Sequence, residues 1–211
     1  MIIAIDGPAA AGKGTLAQRL AQYFDLAFLD TGRLYRAVAY EIYKSGVDPN
    51  DTKSVVLVAR SLELDKIEVI DLYTEKIAEI ASVIAAMAAV RNELLVYQRN
   101  FAYSPPSGKT GAVLDGRDIA SVVCPDASYK FFVTARLDVR SRRRFKELQE
   151  NGRKSTYAAV LADIQQRDER DRTRKVSPLK TVDAIVIDTS GKSPSAVFLR
   201  ALEYIEGDQL N

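Results

Sequence analysis

The chain has 211 residues, 47% of them hydrophobic and 27% charged, which suits one globular domain with its own core. Lys and Arg number 30 against 28 Asp and Glu, and this net charge of +2 argues against a nucleic-acid coat or a polybasic membrane binder. With no histidine and one cysteine, Cys124, the chain has no Ser-His-Asp triad, no Cys-His dyad, no intramolecular disulfide and no His- or Cys-rich metal site, and a reducing, cytoplasmic setting is expected.

Ile2 to Ile5 are β-branched or small and apolar and run into Gly7-Pro8. This predicts a buried strand, too short for a signal-peptide core and without its basic lead. Leu16, Ala17, Leu20, Ala21 and Phe24 recur at helical spacing. Ala27 to Leu29 predict a second strand. Thr31 is expected to cap a helix that runs to Lys44 and stops at Gly46. A loop at 47–51 precedes a helix over 52–62, and Lys66 to Leu72 predict an isolated strand. Residues 74–103 read as two helices meeting near Met87. The longest apolar stretch, Ala81 to Val90, is too short to cross a membrane. Ala112 to Leu114 predict a strand ending at Asp115-Gly116, and Lys130 to Thr134 another. A charged helical pair follows over 136–150 and 155–172, broken at Asn151-Gly152. Ala184 to Ile187 and residues 194–206 supply a last strand and a closing helix. Strands alternating with helices predict an α/β fold around a mainly parallel sheet.

The segment Gly7-Pro8-Ala9-Ala10-Ala11-Gly12-Lys13-Gly14-Thr15 follows a strand and opens a helix, the setting a P-loop needs. Gly12 and Gly14 let backbone amides approach phosphate oxygens, and the helix N-terminus favours the anion. Lys13 adds a charge near the β- and γ-phosphates. Gly14 separates Lys13 from the hydroxyl of Thr15, a departure from the usual spacing. The loop indicates a nucleoside triphosphate site, and by itself it does not separate a kinase from a switch or a motor.

From Arg136 to Arg174 there are 12 Lys and Arg against 7 Asp and Glu. Such a run reads either as a solvated helical face or as an anion-binding lid. Isolated arginines stand at loop or helix positions: Arg33, Arg36, Arg91, Arg99 and Arg117. Arg167, Asp171 and Arg174 share one helix face. Arg167 with Asp171 makes either an ordinary helix ion pair or part of a site; arginine forks suit phosphate and carboxylate. Tyr35 is read as a packing residue or a neighbour of the acceptor. Asp115 ends a strand, either as a turn residue or to order Mg²⁺ through water. Cys124 is expected as a small buried side chain, since no histidine can activate it. Arg142 and Arg144 are expected in solvent.

GPAAAGKGT, then Asp30-Thr31-Gly32 with Tyr35-Arg36, then Asp115-Gly116-Arg117-Asp118, then Arg167-Asp168-Glu169-Arg170-Asp171-Arg172 with Arg174, together resemble bacterial cytidylate kinase over essentially the whole chain. The resemblance implies a P-loop, five-stranded parallel sheet in the order 2-3-1-4-5, flanked by helices, within a single domain over 1–211. It places the core in 1–30, 108–135 and 180–211, a monophosphate-binding region in about 31–104, and a lid and acceptor-contact region in about 136–175. It implies transfer from ATP with Mg²⁺ to CMP or dCMP, giving ADP and CDP or dCDP. Gly7 to Thr15 would hold ATP, with Gly7, Pro8, Ala9, Ala10, Ala11, Gly12, Lys13, Gly14 and Thr15 all in the loop. Thr31, Arg36 and Arg117 would hold the CMP phosphate, with Tyr35 nearby. Ser82, Arg91 and Asp118 would face the cytosine. Arg167 and Asp171 would meet the ribose, and Arg174 would lie close to CMP. Lys13, Arg140 and Arg143 would neutralise charge on the transferred group. No dedicated metal site is expected; Mg²⁺ would be held mainly by phosphates and water, with Thr15 and Asp115 as the protein groups in question.

Elementary chemistry agrees with that assignment. Cytosine carries an amine where uracil carries a carbonyl, so a carboxylate such as Asp118 would accept from one and repel the other. The nucleophile is an anionic phosphate oxygen, so no general base is needed and the missing histidines cost nothing. Members of the family often carry a small β-rich insertion beside the monophosphate site; the stretch between Leu62 and Ser82 has room for about one strand, and the insertion is expected to be truncated. Three other readings stand beside this one: a P-loop kinase with AMP, UMP or a non-nucleotide acceptor, a nucleotide-dependent switch, and an RNA-binding module using Arg140 to Arg144. A switch would usually carry an NKxD element, which is absent. The expected partners are ATP and CMP or dCMP, with no nucleic acid and no membrane, and the expected state is a monomer.

Overall fold

The computed structural model describes residues 1–62, 72–106 and 108–208. Five strands, β1 (Ile2–Asp6), β2 (Ala27–Asp30), β3 (Ala112–Gly116), β4 (Tyr129–Thr134) and β5 (Ile185–Asp188), form one parallel sheet in the order β2-β3-β1-β4-β5. The order matches the expected one. The helices are α1 (Lys13–Tyr23), α2 (Thr31–Ser45), α3 (Thr52–Arg60), α4 (Glu75–Ile84), α5 (Ala88–Tyr103), α6 (Leu137–Glu150), α7 (Tyr157–Thr173) and α8 (Pro194–Asp208).

Strand alternation divides the core. Ile3, Ile5, Val113, Phe131, Val133 and Ile187 face α1 and α8, while Ala4, Ala27, Leu29, Ala112 and Leu114 face α2 to α5. Both faces are covered, which explains why the central strands read as continuous apolar runs. A separate small core of Leu148, Val160 and Ile164, with Leu137, Phe145 and Ala10, closes the α6–α7 hairpin. That hairpin therefore carries its own packing and touches the sheet's apolar layers little.

Several local signals differ in detail from expectation. The cap of α2 is Asp30, which accepts from the Arg33 amide at 3.2 Å, and Thr31 is the first helical residue. The hydroxyl of Thr31 is taken instead by the Asp115 carbonyl, 2.7 Å away on the neighbouring strand end. Gly46 does end α2, in the left-handed conformation at φ 70°. Asp51, Thr74 and Thr156 cap α3, α4 and α7 through their side chains. Ile119–Val123 form a five-residue π-helical segment that periodicity did not indicate. The strand expected at Lys66 to Leu72 lies outside the described residues except for Leu72, which is buried in a short 3-10 turn.

No single helix among the described residues is long and apolar enough to cross a membrane. α4 and α5 reach that apolar length only together and meet at 99°. Their apolar faces, including Ile77, Ile84, Val90 and Leu94, are buried in the core.

Candidate active site

In a parallel sheet of this order the connections leave β1 and β3 in opposite directions, and a crevice opens at the carboxyl ends of those strands. Here the crevice is a cavity of about 670 Å³. Its walls come from the loop after β1, the ends of β2 and β3, the inner faces of α4 and α5, and one side of α7.

The loop after β1 is shaped by backbone constraints. Gly7 has φ 148°, and a Cβ there would sit 1.9 Å from the Val133 carbonyl oxygen. Ala10 adopts φ 57° and Gly12 φ 95°, which turns the chain into the first turn of α1. Ala9, Ala10, Lys13 and Gly14 line the cavity. Gly7, Pro8, Ala11 and Gly12 shape the loop without lining it. Thr15, one of the two protein groups in question for Mg²⁺, is exposed and does not line the cavity. The physical reason is helical: Gly14 occupies the inward position, and the next residue turns about 100° away from it.

Lys13 is buried, and its ammonium donates to the Pro8 carbonyl at 2.9 Å. Burial and the Arg117 guanidinium lower its pKa to about 7, partly opposed by the carboxylates of Asp115 and Asp30. Asp115 is pushed the other way, up to about 7, by burial and by Asp30 beside it. A buried and a half-buried carboxyl next to a phosphate loop form a place where a cation is favourable. Among the described residues no group of three metal-ligating side chains converges.

The residues expected around CMP all line this one cavity. Arg117 donates from Nε to Asp171 Oδ2 at 2.8 Å, and Arg174 Nη1 lies 3.7 Å from Asp171 Oδ1. Burial opposes ionisation of Asp171, but Arg117 and Arg167 outweigh it and hold the carboxyl below its usual range. Arg167 is lowered to about 9 by burial and by the guanidiniums of Arg117 and Arg36, and so remains charged at neutral pH. Arg36 lies over the Tyr73 ring, 4.9 Å from its centroid. Ser82 Oγ, Arg167 Nε and Arg174 Nη2 are buried with no hydrogen-bond partner. Buried polar groups are rarely left so, and these line a cavity where a ligand can satisfy them. On the inner wall Arg91, 7% exposed, is ion-paired with Asp118, donates to the Ala85 carbonyl at 3.0 Å, and stands 5.4 Å from the Tyr35 ring centroid. Burial pushes the Tyr35 phenol up to about 12, so it is neutral.

Two of the charged-helix arginines stand at the phosphate loop and a third, Arg144, falls elsewhere than the sequence placed it. Arg140 and Arg143 do not line the cavity. Arg140 is held by Asp168 in a two-pronged pair, with Nη2 to Oδ2 at 2.6 Å, and reaches the Ala9 carbonyl at 3.3 Å. Arg143 donates to the hydroxyl and carbonyl of Thr189 at 2.8 and 2.7 Å, and Thr189 in turn donates to the Ala11 carbonyl. Both lie on the same helix face, against the phosphate loop. Arg144, expected in solvent, lines the cavity and pairs with Glu147 at 3.0 Å, while Arg142 is exposed. Asp30 and Arg170 also line it and were not singled out as site residues. Asp30 was visible in the Asp-Thr-Gly motif and Arg170 in the Arg167 to Arg172 motif. Arg99 serves the fold, donating to the carbonyls of Val122 and Val123. Cys124 is buried, and burial raises its thiol to about 11.

The arrangement sets a triphosphate-type loop beside an anion-binding arginine cluster and a buried Arg-Asp pair. A family model described as cytidylate kinase matches residues 3–207. The chain belongs to the cytidylate kinase family. As a member it is a nucleoside monophosphate kinase. The cytidylate kinase of Paramagnetospirillum magneticum is 51% identical over 205 residues, covering 97% of each chain. That of Rhodospirillum rubrum is 48% identical, also over 97% of each chain. That of Methylocella silvestris is 50% identical over 98% of this chain and 94% of its own. These cytidylate kinases match the chain nearly end to end. Among solved structures, an uncharacterized protein from Eubacterium ventriosum superposes with a TM-score of 0.55 at 12% identity over 98% of both chains. A sugar kinase from a Janibacter species gives 0.50 at 12% identity, over 97% of this chain and 94% of its own. At that identity the two speak for the fold alone.

Proposed function

We propose that this member of the cytidylate kinase family phosphorylates CMP and dCMP from ATP with Mg²⁺. The observation that carries the proposal is that the phosphate loop with Lys13 and the Arg91–Asp118 pair open into one cavity, with the arginine cluster between them. A monophosphate placed with its phosphate on Arg36 and Arg117 and its ribose by Arg167 and Asp171 would present its base to Ser82, Arg91 and Asp118. Thr31 Oγ1 is committed to the Asp115 carbonyl, so its part at the phosphate is to fix that strand end. In this reading residues 31–104 form the acceptor side and 136–175 the lid, with Arg140 and Arg143 poised against the phosphate loop.

The residues fit a divalent ion carried in on the nucleotide. Asp115, with Asp30 beside it, would hold water around the ion, which lends Lewis-acid charge neutralisation to the phosphates. The chain's own work is positioning and charge: Lys13 neutralises the transferred phosphoryl group, the arginines fix the acceptor oxygen, and the closed site excludes water.

The decisive experiment is ADP formation from MgATP with CMP, dCMP, UMP, AMP and GMP offered separately. Turnover with CMP and dCMP well above the others is the expected result. Preference for another monophosphate would keep the kinase and discard the base assignment.

Two further outcomes follow from the geometry. Asp118→Ala should cut the preference for CMP over UMP roughly 10- to 100-fold, the worth of a charge-assisted hydrogen bond, while ATP still binds. An unchanged preference removes Asp118 from base recognition. The second concerns Lys13, whose pKa of about 7 leaves it mostly neutral at pH 8. Nucleotide phosphates raise that pKa, so ADP binding without metal at pH 8 should take up protons. Calorimetry in two buffers of different ionisation enthalpy measures the uptake, and it should fall in Lys13→Met, where Asp115 is the remaining group that can take up a proton.

A further inference from the structure

Asp6 ends β1, immediately before Gly7, and is 2% exposed. Its two carboxylate oxygens accept from the backbone amides of Ile119 and Ala120, at 2.9 and 2.8 Å. Those are the first two amides of the π-helical segment that follows Asp118. A helix's opening amides need an acceptor, and an aspartate standing at the cap is among the side chains best suited to supply one. Asp118 stands at that cap and makes no side-chain capping bond. Its carboxylate goes to Arg91 across the cavity instead.

We propose that Asp6 is a positioning residue for base selection: by capping the 119–123 segment from the neighbouring strand, it releases the Asp118 carboxylate to face the acceptor base. The inference rests on the reading of Asp118 as the group that meets the cytosine amine. The two carboxylates compete for one local set of donors, and the Ala120 amide is within the normal reach of an N-cap side chain at 118. With Asp6 present those donors are satisfied and Asp118 has no reason to fold back. Without it the amides are left buried and unmet, and Asp118, at the cap position, is the side chain placed to fold back onto them. Gly116 reinforces the arrangement, since a Cβ there would come within 2.6 Å of Thr31 Oγ1 and 2.7 Å of Ile119 Cδ1. The turn cannot shift toward α2 to make a different bond. The residue that starts the nucleotide loop thus also sets the direction of the base-reading carboxylate, 112 positions later in the chain.

The test compares kcat/KM for CMP and UMP, at saturating MgATP, in the wild type, Asp6→Ala, Asp6→Asn, Asp118→Ala and the Asp6→Ala/Asp118→Ala double variant. Asp6→Ala should lower the CMP-over-UMP ratio about tenfold or more. Asp6→Asn, which keeps one acceptor oxygen, should lower it less, and it carries the test if Asp6→Ala does not fold. The double variant should show the same ratio as Asp118→Ala alone, because Asp6 acts through Asp118. A general structural role predicts the contrary: lower yield or melting temperature with the ratio intact, or a further loss of ratio in the double variant. Either result overturns the inference. If Asp118→Ala itself leaves the ratio unchanged, the base reading fails and this inference falls with it. If Asp118→Ala lowers the ratio and neither Asp6 variant does, only the inference fails.

Discussion

Replacing Lys13 by alanine is expected to lower kcat roughly 10²- to 10³-fold, the usual cost of removing one preorganised charge from a transferring group. The side chain leaves the first turn of α1, lies buried, and reaches the Pro8 carbonyl at 2.9 Å. It stands close enough to Asp115 and Asp30 for their charges to act on it, and it is desolvated enough to be half neutral near pH 7. A cation held this way is expensive in the empty site and favourable only when phosphate charge arrives, which is the condition for stabilising a transition state more than a ground state. Its loss should also leave the carboxyls of Asp115 and Asp30 facing the phosphates. Lys13→Arg should not restore turnover, because a planar fork does not fit where a compact ammonium sat. Activity within threefold of wild type would remove Lys13 from the transfer step.

The largest effect on stability is expected from Gly7→Ala. The position combines φ 148°, a region that side chains with a Cβ avoid, with a Cβ position 1.9 Å from the Val133 carbonyl oxygen. Neither strain can relax cheaply, because β1 and β4 are hydrogen-bonded neighbours at that point, with Asp6 opposite Phe132. Backbone strain of about 1–3 kcal/mol and overpacking of a similar size give a total of roughly 2–6 kcal/mol. For a chain of this length that is a fall in melting temperature of roughly 2–4 °C per kcal/mol. The variant should also lose affinity for ATP, since the strain lies in the first residue of the phosphate loop. A melting temperature within about 2 °C of wild type would show that the sheet yields at β4 and that the close approach is not required.

Much of this was legible in the residues. The alternation of apolar runs with helical periods located the strands and helices, since each depends on neighbours within a few positions. The phosphate loop was legible for the same reason: Gly7 to Thr15 carry their chemistry in consecutive backbone. The arginine cluster was legible as residue types, and Arg167, Asp171 and Arg174 as one helix face.

Pairings between distant segments were not legible, because nothing local specifies them. The carboxylate of Asp6 meets amides 113 and 114 positions away, and Arg91 meets Asp118 across 27. The first exists because parallel crossovers bring the ends of β1 and β3 side by side, the second because α5 packs against the segment that follows β3. The outward turn of Thr15 and the capture of Arg140 by Asp168 follow from helix rotation and hairpin packing, quantities that composition does not carry. Local periodicity and motif therefore settled which elements form and that one of them grips phosphate. Long-range packing settled which charges face the acceptor, because the cost of burying each one depends on the partner that the fold brings to it.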